Sequence, residues 1–178
     1  MAAQPKAARQ AAAAAVEDAE PAEPLGPPET AQALDSSRLA HLVGYAASRA
    51  ALTLRKAFHR HMAPLDLKIV EFSILMLVAQ NSQVNQKQLG AALDVSAPNM
   101  AVTLDRMVEQ GWVERVRSTT DRRAQHIHLT TRGVQLVQRA EKIAATMEAP
   151  ALSVLSAAEK ALLIELLDKV VAGRGGRH

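Results

Sequence analysis

The chain has 178 residues and a net charge of +3, the size of one ordinary domain with a real hydrophobic core. It holds no cysteine, which excludes disulfides, thiolate nucleophiles and thiol redox switching and suits a cytoplasmic location. Its longest apolar run, from Phe72 to Ala79 and interrupted only by Ser73, is far shorter than the about 20 residues of a membrane span, and the Ala11–Val16 run is followed by Glu17, Asp18 and Glu20, which does not read as a signal peptide.

Residues 1–33 are rich in Ala and Pro and nearly devoid of large apolar side chains, a composition that cannot offset the entropy of ordering, so a disordered tail is expected there. In it Lys6 and Arg9 stand against Glu17, Asp18, Glu20, Glu23 and Glu29, so the tail is net −3 and the rest of the chain +6. A basic folded part favours polyanionic partners, though only weakly on this ground alone. Aromatic residues make up 2% of the chain while Ala and Leu abound, which suits packed helices better than a sandwich or barrel.

Residues 34–178 read as a single domain. Asp35 or Ser36 can cap a first helix, whose apolar positions recur at spacings of three and four from Leu39 to about His61, before Pro64. A second helix is expected over Leu67–Gln80, so densely apolar that it must be largely buried. Asn85 and Gln88 form a capping-box pattern for a short third helix that stops at Asp94. After a brief turn Ser96 can cap a fourth, with Pro98 tolerated in its first turn and Met100, Leu104, Met107 and Val108 on one face up to Gly111. Two short helices joined this way make a helix-turn-helix. Trp112–Arg117 and Gln125–Leu129 alternate as short strands around the polar tip Ser118–Arg123, and a hairpin in this place is a wing. Thr130 or Thr131 then caps a fifth helix ending before Pro150, and Ser156 with Glu159 opens a last, leucine-rich one. The expected fold is mainly α with a small β-hairpin wing: a winged helix-turn-helix over 67–131 and a helical dimerisation region over 36–66 and 132–172.

A helix-turn-helix lays its second helix in the major groove of DNA, so exposed residues near that helix's start lie near base edges. These are Ser96, Ala97, Pro98, Asn99, Ala101 and Val102, with Thr103 and Arg106 a turn further on. Asn99 suits an adenine edge, and Ala97 or Val102 a thymine methyl. The set has few long donors, so phosphate contacts and DNA shape must carry much of the affinity. The wing supplies them: Arg122 and Arg123 can reach a minor groove or phosphates, Asp121 can orient a guanidinium, and Arg115 and Arg117 lie on the adjoining strand. Two-fold DNA sites ask for two copies, and the last helix has more leucines than one small winged domain can cover.

The residues offer little to catalysis. His59 and His61 are spaced by two, which parts their rings on a helix; His126 and His128 share a strand face, with no carboxylate expected nearby. No nucleophile elbow or phosphate loop is present, so no catalytic residue, metal site or cofactor is assigned. The rival reading is a winged-helix dimer that binds ligand or protein without DNA, and the arginine-tipped wing argues against it.

The run Ser96-Ala-Pro-Asn-Met-Ala-Val-Thr-Leu-Asp-Arg-Met-Val-Glu-Gln-Gly-Trp-Val-Glu-Arg115, followed by Asp121-Arg-Arg-Ala124 and Leu129-Thr-Thr-Arg-Gly133, resembles the MarR family of bacterial regulators. The resemblance extends from about Ser36 to Val171. It implies a homodimer held by its first and last helices on a palindromic operator, usually a repressor released by a small ligand. Effectors of similar proteins enter between the dimerisation helices and the winged domain. Here Tyr45, Arg49, Arg55, His59 and Arg60 on the first helix would be near that place, and their charge suggests an anion such as an aromatic carboxylate or its CoA thioester.

Overall fold

The computed structural model describes residues 34–117 and 125–173, and the chain divides into two units between His41 and Leu42. The described part of the first unit is a 3-10 turn, Ser37–Leu39, entered through Asp35. The Asp35 carboxylate accepts the Ser37 N–H (2.9 Å) and hydroxyl (3.2 Å), which holds its pKa below the ordinary value.

In the second unit, α1 (Val43–Met62) begins later than its periodicity suggests, because Leu42 is extended (φ −89°, ψ 115°) and cannot continue a helix from Leu39. Its far end anchors Phe58 and Met62 in the core. A 3-10 turn, Ala63–Leu65, takes in Pro64, and Asp66 follows in the left-handed region (φ 50°), reversing the chain into α2 (Ile69–Gln80). Helix α2 buries Ile74, Leu75 and Val78 as its apolar density requires, and also Glu71.

Helix α3 (Gln86–Leu93) opens on the expected capping box: the Gln88 N–H donates to Asn85 Oδ1 and the Asn85 N–H to Gln88 Oε1, each at 2.9 Å. Asp94 closes it with positive φ (51°). Helix α4 (Ala97–Glu109) packs on α3 and sends Met100, Leu104 and Met107 into the core, each wholly buried. Gly111, at φ +68°, turns the chain into β1 (Val113–Arg117), which pairs antiparallel with β2 (Gln125–Leu129) in the register Val113↔Leu129 through Arg117↔Gln125. The middle of the hairpin is fastened to the segment between α2 and α3 by Ile127, whose N–H donates to the Val84 carbonyl at 2.7 Å in an antiparallel bridge and whose side chain is in the core.

Thr130, not Thr131, caps α5 (Thr131–Met147): its hydroxyl accepts the Gly133 N–H at 3.0 Å and donates to the Gly111 carbonyl at 2.6 Å. Gly133 is required where α5 crosses the hairpin, since a Cβ there would run into the carbonyl oxygen of Trp112. Helix α5 packs on α1 and α2 and buries Leu136, Val137 and Ala140. Helix α6 (Ala157–Gly173) is different in kind. Its start is capped reciprocally by Ser156 and Glu159 as expected, yet none of its residues is buried. No helix among the described residues is long and apolar enough to cross a membrane.

Candidate nucleic-acid interface

The buried stripe of Met100, Leu104 and Met107 fixes which side of α4 faces the core, and thereby which side faces out. Ser96, Ala97, Pro98, Asn99 and Val102 are all exposed around the helix start, Val102 at 70%, while Ala101 and Thr103 are half-buried. Pro98 costs nothing in the first turn, where its missing N–H has no partner to lose. Ser96 stands at the cap position, but its side chain makes no capping bond, which leaves its hydroxyl available. Thr103 donates its hydroxyl to the Asn99 carbonyl at 2.9 Å, so that proton is spent within the helix. Gln86 Nε2 reaches the Ala97 carbonyl at 3.4 Å and ties the start of α3 to the start of α4.

Two arginines expected on the DNA side are engaged within the protein. Arg106 bonds the buried Glu71 through Nη1 and Asp66 Oδ2 through Nη2 (2.8 Å), and its guanidinium lies 5.6 Å from the centroid of the Trp112 ring. The bond to Glu71 holds the Arg106 guanidinium above its ordinary pKa, with the charges of Glu71 and Asp66 adding to the effect. Arg115 Nη1 meets Asp105 Oδ1 at 2.6 Å, pinning the first strand to α4. Arg117 at the strand's end is exposed. Asp121, Arg122 and Arg123 lie outside the described residues.

Glu71 escaped the sequence reading. The signal was present, because it is the one charged residue between Ile69 and Gln80 in an otherwise apolar helix. An ionised carboxylate there needs a cation, and Arg106 supplies it from a position 35 residues on.

The histidine pair on β2 also departs from expectation. Glu114 is the cross-strand partner of His128, so a carboxylate does share their face. The His126 and His128 rings meet edge-on with centroids 6.5 Å apart. Among the described residues, no group of three or more His, Asp or Glu side chains is arranged to hold a metal ion. On α1, His61 turns back to the Ala57 carbonyl at 2.8 Å and His59 lies edge-on to Phe58.

Tyr45, Arg49 and Arg60 fall on the side of α1 away from Phe58 and Met62, His59 lies on its flank, and Arg55, seven residues before Met62, leaves the helix on nearly the same side as Met62; all are exposed except half-buried Tyr45, over whose ring Arg49 lies at 5.7 Å. A cleft of about 370 Å³ opens elsewhere, between the turn before α2, the end of α4 and the start of α5, with Asp66, Gln110, Trp112, Arg132, Gln135 and Arg139 in its wall. On α6 the apolar side chains Leu162, Leu163, Ile164, Leu166, Leu167, Val170 and Val171 are 41–72% exposed.

Known proteins share this arrangement. Residues 65–124 match the MarR family. The uncharacterized HTH-type transcriptional regulator YpoP of Bacillus subtilis is 31% identical over 105 residues, covering 59% of this chain and 74% of that protein. The transcriptional repressor CouR bound to a 23-mer DNA duplex superposes with a TM-score of 0.74 at 31% identity, over 79% of this chain and 99% of CouR. CouR bound to p-coumaroyl-CoA superposes with a TM-score of 0.71 at 29% identity, over 78% and 98% of the two chains. The exposed start of α4, the hairpin behind it and these likenesses lead to one assignment: the chain belongs to the MarR family, and is a winged-helix, DNA-binding transcriptional regulator and not an enzyme.

Proposed function

We propose that the protein is a homodimeric repressor of a palindromic duplex operator, released by a small anionic effector. The observation that carries the reading is the exposed start of α4 from Ser96 to Val102, mounted on a buried apolar stripe and followed by the wing. Asn99 and Val102 are the base-reading candidates, for an adenine edge and a thymine methyl. Arg117, Arg122 and Arg123 are the candidates for phosphate or minor-groove contact, with Asp121 orienting a guanidinium. Support for the dimer comes from α6, whose exposed leucines need an apolar partner, and from the two-fold symmetry of such operators.

The deciding experiment is a mobility-shift titration of the purified protein on the region upstream of its own gene and on scrambled duplex. Specific binding should weaken linearly in log affinity against log salt, and Arg122→Ala or Arg123→Ala should each lower that slope by about 1. Equal affinity for both duplexes, unaffected by Arg123→Ala, refutes the reading.

The anionic effector is supported by the basic outward side of α1 and by CouR's binding of p-coumaroyl-CoA. Because Arg49, Arg55, His59 and Arg60 are exposed, with Arg49 and Arg60 facing away from the protomer's own core, a pocket built on them would be completed by a second subunit. Thermal-shift measurements with aromatic carboxylates and their CoA thioesters test this. Stabilisation should shrink in Arg49→Ala and Arg55→Ala; equal shifts in wild type and variants remove these residues from the site, and loss in Arg132→Ala or Arg139→Ala moves it to the cleft.

A further inference from the structure

A helix that reads DNA must hold one rotation about its own axis, because turning it by a few tens of degrees carries its side chains past the base edges. The apolar stripe of α4 fixes how deep the helix sits, but Met100, Leu104 and Met107 are flexible or rounded side chains whose contacts are non-directional. Directional contacts are made at the helix start by Gln86, to the first strand by the Asp105–Arg115 pair, and to α2 and the turn before it by Arg106. The planar fork of Arg106 spans Glu71 on α2 and Asp66 in the turn before α2, while Trp112, leading into the first strand, lies against its face. The anchor itself is fixed: Glu71 is 1% exposed, and its second oxygen accepts the Lys68 N–H at 3.0 Å. Asp66 is set by its left-handed backbone, φ 50°.

Arg106 lies seven residues, close to two turns, beyond Asn99. At that spacing the two leave α4 within about 20° of the same direction. Clamping the Arg106 guanidinium therefore sets the direction of Asn99. We infer that Arg106 is a positioning residue, which does not touch DNA but sets the rotation of α4 through Glu71 and Asp66, and so governs discrimination between operator and non-operator duplex. This rests on α4 being the helix that reads the bases.

A phosphate contact and a rotational clamp have different signatures. Lysine serves a phosphate as a point charge, but cannot bridge two carboxylates with a planar fork. A phosphate contact also displaces counterions, whereas a clamp does not. The test compares Arg106→Lys, Arg106→Gln and the double variant Glu71→Gln/Arg106→Gln with wild type. The double variant matters because Arg106→Gln alone strands a buried carboxylate and can unfold the domain. Trp112, the single tryptophan, is 4% exposed, and an unshifted emission maximum certifies that each variant has kept its fold. Binding is measured across salt on a duplex selected by the wild-type protein from a randomised pool, and on its scrambled counterpart.

The expected result for folded variants, Arg106→Lys included, is a loss of at least about ten-fold on the selected duplex, less than about two-fold change on the scrambled one, and an unchanged salt slope for both. Rescue by Arg106→Lys, or a slope lowered by about 1, would make Arg106 a phosphate contact and overturn the inference. Loss in equal proportion on both duplexes, or no loss on either, would overturn it equally. Failure of the wild type to enrich any sequence would instead refute the DNA-reading role of α4.

Discussion

Gly133→Ala separates a local argument from a tertiary one, because the two give opposite signs. Gly133 is in the first turn of α5, and on helix propensity alone alanine there should stabilise by up to about 1 kcal/mol. In the folded protein the added methyl would overlap the Trp112 carbonyl oxygen, sit 3.0 Å from the Trp112 carbonyl carbon and come within 3.3 Å of Leu129 Cδ2. The first two neighbours are backbone, and neither can swing aside. The Trp112 carbonyl also accepts the Thr130 N–H at 3.1 Å, so moving it strains the joint that fastens α5 to the wing. Overpacking of this kind costs about 3 kcal/mol at the upper end of its range. The net expectation is a destabilisation of about 2 kcal/mol, or a fall in Tm of roughly 4–8 °C for a chain of this size. The assay is urea unfolding followed by Trp112 fluorescence at fixed protomer concentration, since association would itself shift the midpoint. A lower midpoint with unchanged slope is expected. A variant as stable as wild type, or more so, would refute the claim that close approach, and not conformational freedom, demands glycine here.

Three further outcomes follow from the same reasoning. Asn85→Ala removes one half of the α3 capping box and should cost about 1 kcal/mol, seen as a lower urea midpoint; no change would mean that water replaces the cap. The Glu159 carboxylate, bonded to the Ser156 N–H and hydroxyl, titrates below its ordinary value of 4.5, so its cap is fully present above that pH and is lost as pH falls through the depressed value. Protection factors of the amides in the first turn of α6, that is, exchange corrected for its intrinsic pH dependence, should therefore fall on acidification in wild type but not in Glu159→Ala. Leu166→Glu places a charge among the exposed leucines of α6 and should weaken self-association by roughly 100-fold, read by sedimentation across protomer concentration; an unaltered equilibrium would remove this face from the dimer.

The elements of this protein were legible in its sequence because their signals are local. Asn85 with Gln88 and Ser156 with Glu159 are reciprocal caps spanning three residues, and they mark helix starts in the structure where the pattern puts them. The alternation in Trp112–Arg117 and Gln125–Leu129 needs only neighbouring residues to declare a hairpin. The exposed start of α4 follows from the period of Met100, Leu104 and Met107. What failed locally was decided by partners far along the chain. Arg106 looks like any arginine on a DNA-facing helix until Glu71 is found beneath it, and Arg115 until Asp105 is found beside it. His128 acquires a carboxylate neighbour only when the strand register is set. Gly133 reads as a poor helix former until the Trp112 carbonyl occupies the place of its missing side chain. Periodicity reports which face of an element is apolar; which charge meets which is settled only by the packing of α2 and of the first strand against α4.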